Sequence, residues 1–198
     1  KAKERIYEAL ENEEKVMVYG DYDADGVTST ALLMTTLMEL GVRADYYIPN
    51  RFEEGYGLNE SAIRSFAEAG YTVLVTVDNG IADVHEASVA KQVGMDLIIT
   101  DHHEVQDTLP DAYAIIHPKL SDEYTFKELA GVGVAFQFAH YLLEYYPVEL
   151  LDYVAIGTIA DLVPLRGENR VFTYYGLESI TNTLNVGIEA LKASAGLS

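Results

Sequence analysis

The chain has 198 residues, 49% of them hydrophobic, with 32 Asp and Glu against 13 Lys and Arg, a formal charge of −19 and no cysteine. That length and apolar content suffice for one sizeable core, while the lack of cysteine excludes disulfides and thiolate metal sites and fits a reducing, cytoplasmic setting. The charge excludes a general electrostatic grip on nucleic acid, and no run approaches the ~18 consecutive apolar residues of a membrane span or the apolar region of a signal peptide, so no membrane association is expected.

An amphipathic helix is expected over about 2–12, then a strand over 15–19 and a loop, Gly20-Asp21-Tyr22-Asp23-Ala24-Asp25-Gly26. A helix follows from about Thr28 to Leu40, with Gly41 as its stop, and a strand over 44–48 enters a loop whose glycines, Gly55 and Gly57, mark tight backbone. Asn59 can cap a helix running to Gly70, the run Tyr71 to Val77 reads as a strand, and a helix over 83–94 leads to a strand over 95–100. A further strand lies near 112–116. Strand, helix, strand recurs, so the fold class is α/β, a mostly parallel sheet flanked by helices with right-handed crossovers. From about residue 119 the chain becomes a mainly helical portion: about 131–146, about 148–160 after Pro147, about 169–182 and 186–194, the last two covering the sheet. Residues 1–118 thus form the sheet portion and 119–198 the helical portion of one core. The start without an initiator Met suggests a piece of a longer protein.

Three apolar runs end on aspartate: Asp21, Asp78 and Asp101. In a parallel sheet ligands bind outside the carboxyl ends of the strands, so these acids converge with Asp23, Asp25, His102 and His103. Two carboxylates about 4 Å apart repel by roughly 4 kcal/mol at an effective dielectric near 20, so the cluster calls for divalent cations. Asp23 and Asp25, two apart on an irregular turn, can face one site, with Gly26 supplying positive φ or a close approach; the plainer alternative is a turn capping the next helix. Asp78-Asn79-Gly80 is an ordinary turn string, informative only through its place at a second strand end. Adjacent His102 and His103 point in different directions, so one can ligate a metal and the other face substrate, whereas His85, His117 and His140 read as surface or core residues. Carboxylate and imidazole together suit Mn²⁺, Fe²⁺, Zn²⁺ or Mg²⁺ rather than Ca²⁺. Asp161, after a nearly uncharged helix, is the candidate late ligand. The residues therefore predict a two-metal site for phosphoester or phosphoanhydride hydrolysis, bridged by Asp78.

Four ordered motifs, GDYDADG (20–26), VDNG (77–80), DHHE (101–104) and GTIADLVPL (157–165), resemble those of the DHH phosphoesterase superfamily. Within it, IPNRFEEGYGLN (48–59), AGVGVAF (130–136) and LRGENR (165–170) resemble the RecJ-like branch of single-strand-specific exonucleases. The resemblance implies two Mn²⁺ or Mg²⁺ ions held by Asp23, Asp25, Asp78, His102 and Asp161, His103 on the scissile phosphate, and Arg51 on the phosphate of an entering 5′ end. It implies single-stranded DNA as substrate, cut 5′ to 3′ in DNA repair or recombination, and a second DHH-associated domain and an OB fold that this chain lacks. A repair helicase or single-strand-binding protein would be met through the longer protein. Pyrophosphatase-like members carry a ligand histidine at the place of Tyr19, for which Asp21 would compensate as ligand or support.

Other readings share some of these features. A nano-RNase, cyclic-dinucleotide phosphodiesterase or pyrophosphatase would use the same metal chemistry, but Tyr19 and the Arg51 loop favour the exonuclease branch. Asp23 to Val27 mimics the DxDG[TV] of haloacid-dehalogenase-type phosphatases, whose later lysine and acidic pair are replaced here by a histidine pair. A catalytically silent scaffold would have lost a ligand, and none is missing.

Overall fold

The computed structural model describes residues 1–197. Five strands, β1 (Lys15–Tyr19), β2 (Arg43–Tyr47), β3 (Tyr71–Val77), β4 (Asp96–Thr100) and β5 (Ala114–Ile116), form one parallel sheet in the order β2-β1-β3-β4-β5. The three central strands are the β-branched runs, as expected where helices cover both faces of a sheet. Their alternation sorts the core. Val16, Val18, Val73, Val75 and Val77 face α1 (Ala2–Glu11), α2 (Ala24–Leu40) and α5 (Gly131–Leu143), while Met17, Tyr19, Leu74, Leu97 and Ile99 face α3 (Glu60–Glu68) and α4 (Val84–Gln92).

The strand order places a topological switch between β1 and β3, because the chain leaves β1 toward one edge and returns on its other side. A crevice opens there at the carboxyl ends. Asn79 staples it: its side-chain Nδ2 donates to the carbonyls of Gly20 (3.1 Å) and Val77 (2.9 Å), tying the two strand ends together.

Three expectations change. Helix α2 begins at Ala24, four residues early, because the Asp23 side chain accepts from Gly26 N at 2.8 Å and caps it. Asp25 therefore stands in a first helical turn rather than on an irregular one. The stretch after Pro147 is a 3₁₀ turn, Val148–Leu150, followed by α6 (Leu151–Ala160). Finally, α7 (Gly167–Thr181) packs on α6 instead of on the sheet, because α5 and α6 already occupy the space above α2, and α8 (Val186–Ser194) is tied to α6 at its start, where its N-cap Asn185 bonds the Tyr153 hydroxyl.

Candidate metal centre

Each acid reaches the crevice by a distinct local device. Gly26 makes the first loop possible through close approach: a Cβ there would lie 2.5 Å from Asp21 Cβ and 2.7 Å from its carbonyl oxygen. Its backbone angle is ordinary, so the positive-φ alternative does not apply. Asp78 itself takes the left-handed conformation, φ 62°, with its N–H donating to Thr100 O at 3.1 Å. Non-glycine residues are uncommon in this conformation, which aspartate tolerates better than most, and it sets the direction in which the carboxylate leaves the strand end. Asp161 is the C-cap of α6, where a negative charge opposes the helix dipole, so its place is poor for stability alone.

The structure brings together all five residues expected to hold metal. Ligating atoms of Asp25, His102 and Asp161 lie within 4.8 Å of one another, as do those of Asp21, Asp23 and Asp78. The two groups meet where His102 Nε2 sits 3.0 Å from Asp78 Oδ1, with Asp25 Oδ2 at 3.6 Å and Asp161 Oδ2 at 3.8 Å. Both His102 Nε2 and Asp78 Oδ1 are buried and lack a hydrogen-bond partner. Orphaned atoms of this kind cost 1–3 kcal/mol or more unless something binds them, so the donor set fits a pair of divalent cations. Asp21 stands within the second group as a potential ligand, although its Oδ1 also accepts from Tyr22 N at 2.7 Å.

Electrostatics point the same way. Burial, and next the charge of Asp23, push the Asp78 carboxyl up to about 9. Burial followed by Asp78 raises Asp25 well above the carboxylate range, and burial leads the upward shifts of Asp21 and Asp161. Each of these shifts disfavours the bare carboxylate, the form that a bound cation would stabilise.

His103 is separated from this set in role. Its Nδ1 donates to Asp101 Oδ1 at 2.6 Å, which raises the imidazole to about 9 and leaves Nε2 unengaged by Asp101. Burial pushes Asp101 up, but the bonds from His103, Ile81 N and His102 N hold it below its ordinary value. His117 is buried and supports the same turn by donating from Nε2 to His103 O at 2.7 Å. Exposed His85 pairs with Glu60 and is a surface residue. Arg51 lies in the turn after β2, its guanidinium carbon 5.4 Å over the Tyr22 ring, between Asp21 and Asp23 in sequence. It makes no ion pair among the described residues. Tyr19 is turned to the opposite face of the sheet, among Tyr47 and Phe66, and adds nothing to the acid cluster.

Sequence reasoning missed three contributors. The N-terminus of α5 grips Asp25: Gly131 N donates to Oδ2 at 2.7 Å and Val132 N to Oδ1 at 2.8 Å. Gly131 also leaves room for Asp78, since a Cβ there would stand 2.4 Å from Asp78 Oδ1. The Tyr56 hydroxyl donates to Asp78 O at 3.2 Å and lies 3.0 Å from His103 Nδ1. Only the glycine pair in Gly131-Val132-Gly133 signalled any of this, and its partner lies over a hundred residues away.

A parallel sheet with a carboxylate and imidazole cluster at its switch point defines a class, α/β proteins built to hold cations beside a substrate crevice. Residues 15–158 match the model of the DHH family, N-terminal domain, and the chain belongs to that family. It is 57% identical over 197 residues to the single-stranded-DNA-specific exonuclease RecJ of Bacillus subtilis, covering 98% of this chain and 25% of that protein. The corresponding figures for RecJ of Escherichia coli are 42% over 209 residues, 96% and 36%. The chain thus spans about a quarter to a third of these curated relatives. Among solved structures it is similar to an exonuclease RecJ bound to manganese, with TM-score 0.91, 37% identity, and coverage of 98% of this chain and 51% of that one. RecJ of Thermus thermophilus in complex with Mn²⁺ gives TM-score 0.86 at 34% identity, covering 100% and 29%. The family assignment removes the haloacid-dehalogenase alternative.

Proposed function

We propose that this chain is the catalytic portion of a metal-dependent exonuclease that removes nucleotides from the 5′ end of single-stranded DNA, acting in DNA repair or recombination in the cytoplasm. The observation that carries this reading is the orphaned pair His102 Nε2 and Asp78 Oδ1, 3.0 Å apart where two acidic groups merge. The relatives named as single-stranded-DNA-specific exonucleases, and those solved with manganese, supply the substrate and the metal.

Asp23, Asp25, Asp78, His102 and Asp161 would hold two Mn²⁺ or Mg²⁺ ions, with Asp21 beside Asp23 as a further ligand or a support. Such ions supply charge neutralisation and Lewis-acid activation of water at a phosphodiester. The protein's own residues do the rest. The α5 N-terminus fixes both oxygens of Asp25, so this ligand costs no reorganisation. His103, kept protonated near neutral pH by Asp101, donates from Nε2 to a non-bridging oxygen of the scissile phosphate. Arg51 grips the terminal 5′-phosphate through a planar fork of donors. Residues 1–118 carry the sheet side of the site and 119–198 complete it through Asp25's anchor and Asp161. With a charge of −19, the grip on the strand beyond the first nucleotide belongs to a second domain and an OB fold in the longer protein, which would also meet any helicase or single-strand-binding partner.

The test compares 5′-phosphorylated, 5′-hydroxyl and 3′-labelled single-stranded oligonucleotides in Mn²⁺ at one low salt concentration. Release should start at the 5′ end and prefer the phosphorylated form. Asp78→Ala should abolish it, and Arg51→Ala should erase most of the preference, about 10- to 150-fold for one charge-assisted contact. Release from the 3′ end, or undiminished turnover by Asp78→Ala, would overturn the assignment.

A further inference from the structure

The loop between β2 and α3 carries Arg51 at its tip, and a tip of this kind, exposed and rich in glycine, is ordinarily mobile. Here it is bound from beneath. Tyr19 is 0% exposed at the end of β1, yet its hydroxyl reaches through the sheet's second face to donate to Gly57 O at 3.0 Å. The same hydroxyl accepts from Asn59 Nδ2 at 3.1 Å, and that amide also donates to Glu54 Oε1 at 2.9 Å. Glu54 in turn accepts from Asn50 N at 2.7 Å and from the Tyr47 hydroxyl. Asn50 closes the turn around Arg51, its Oδ1 accepting from Phe52 N at 2.9 Å and its carbonyl from Glu54 N at 2.9 Å.

The exit is fixed as well. Gly57 has φ +88°, a Cβ there would stand 3.0 Å from both Asp83 oxygens, and Leu58 N donates to Asp83 Oδ2 at 2.9 Å. Every bond in this series lies outside the acid cluster, and none is needed to hold a cation. They converge on one consequence, a preformed turn that presents Arg51 over Tyr22 with its guanidinium free of ion pairs among the described residues.

The structure assigns Tyr19, Glu54 and Asn59 as positioning residues for the entering 5′-phosphate: a hydrogen-bonded pin, anchored on a buried tyrosine hydroxyl, that preorganises the Arg51 turn. The inference rests on the proposed role of Arg51. A rigid turn spares the ordering entropy that a flexible arginine loop would lose on binding phosphate, so the pin acts on affinity for the phosphorylated end rather than on the chemical step. Loss of the Tyr19 hydroxyl would leave Gly57 O and Asn59 Nδ2 short of a partner and let the turn relax.

The experiment measures kcat and KM in Mn²⁺ on 5′-phosphorylated and 5′-hydroxyl single-stranded oligonucleotides for Tyr19→Phe, Glu54→Ala and Arg51→Ala, with thermal melting alongside. Tyr19→Phe and Glu54→Ala should each raise KM for the phosphorylated substrate about 3- to 12-fold, the worth of a hydrogen bond, with kcat within roughly twofold and KM for the hydroxyl form unmoved. An equal loss on both substrates, a fall confined to kcat, or no change would overturn the pin. Should Tyr19→Phe fail to fold, Glu54→Ala, made at an exposed residue, carries the same test. If Arg51→Ala leaves the preference intact, the role of Arg51 fails and the pin with it; if Arg51→Ala erases the preference while the other two do not, only the pin fails.

Discussion

Asp78 concentrates the conflicts of the site in a single residue. It is buried, left-handed at φ 62°, adjacent to Asp23 and His102, and confined by the bare Cα of Gly131. None of these features favours the fold by itself. A cation shared by the acids would offset the burial and the mutual repulsion together. Gly131 gives the sharpest test at this scale. A methyl group at that position would stand 2.4 Å from Asp78 Oδ1 and would have to displace it, whereas at Gly133 the nearest neighbour is a Leu129 side-chain atom at 3.1 Å. Gly131→Ala should therefore lower the proposed nuclease activity by about 100-fold, the order expected when a reacting group shifts by an ångström, with weaker Mn²⁺ binding by calorimetry. Gly133→Ala should lose far less. Equal activities for the two variants would remove the steric argument.

At the scale of elements, the helix termini do as much for the centre as the strand ends do. Asp23 is the N-cap of α2 and also stands in an acidic group, so the capping reading does not exclude the functional one. The two roles separate by substitution. Asn caps as well as Asp, whereas Ala leaves Gly26 N unpaired at a cost of about 0.5–2 kcal/mol. In chelator, Asp23→Asn should melt no lower than the parent and Asp23→Ala lower than Asp23→Asn; both should lose much of the melting-temperature gain that Mn²⁺ gives the parent. A gain retained in Asp23→Asn would remove Asp23 from the ligands. These termini also mark how far the sequence was legible. The runs Lys15–Tyr19 and Tyr71–Val77 announce their strands to the residue, because β-branched side chains buried on both faces leave a continuous apolar signature, and the aspartates closing them follow directly. The start of α2 lies four residues before the one its apolar pattern indicates, because a metal-type loop and a capped first turn share the same Asp and Gly residues. The clasp of α5 on Asp25 and the hydroxyl of Tyr56 on Asp78 O leave no trace in the sequence, since contacts between distant segments have no periodicity, and the apolar face of α7 does not say which layer it meets.

Across the whole molecule, the metal-free centre should make stability fall as pH rises. The folded Asp78 carboxyl titrates near 9 against an ordinary 3.8, so the native state binds that proton more tightly than the unfolded chain. Its stabilising effect is complete below about pH 4 and lost as pH climbs toward 9; Asp21, Asp25 and Asp161 shift in the same direction. His103 adds to the slope, because its value rises from 6.5 to about 9 and its contribution, whole below 6.5, fades over the same upper range. Asp101 works in the opposite sense, but only as pH falls below the carboxylate range, since its folded value lies under 3.8. Cations reverse the dependence: they bind the deprotonated carboxylates and neutral His102, so their linkage to folding strengthens as protons leave. Thermal melting in chelator at pH 5.5, 7.0 and 8.5 should accordingly give a falling series, while the increment added by saturating Mn²⁺ widens from the first pH to the last. A chelated series that is flat or rising, or a Mn²⁺ increment independent of pH, would show that these carboxylates neither share protons in the folded chain nor exchange them for metal.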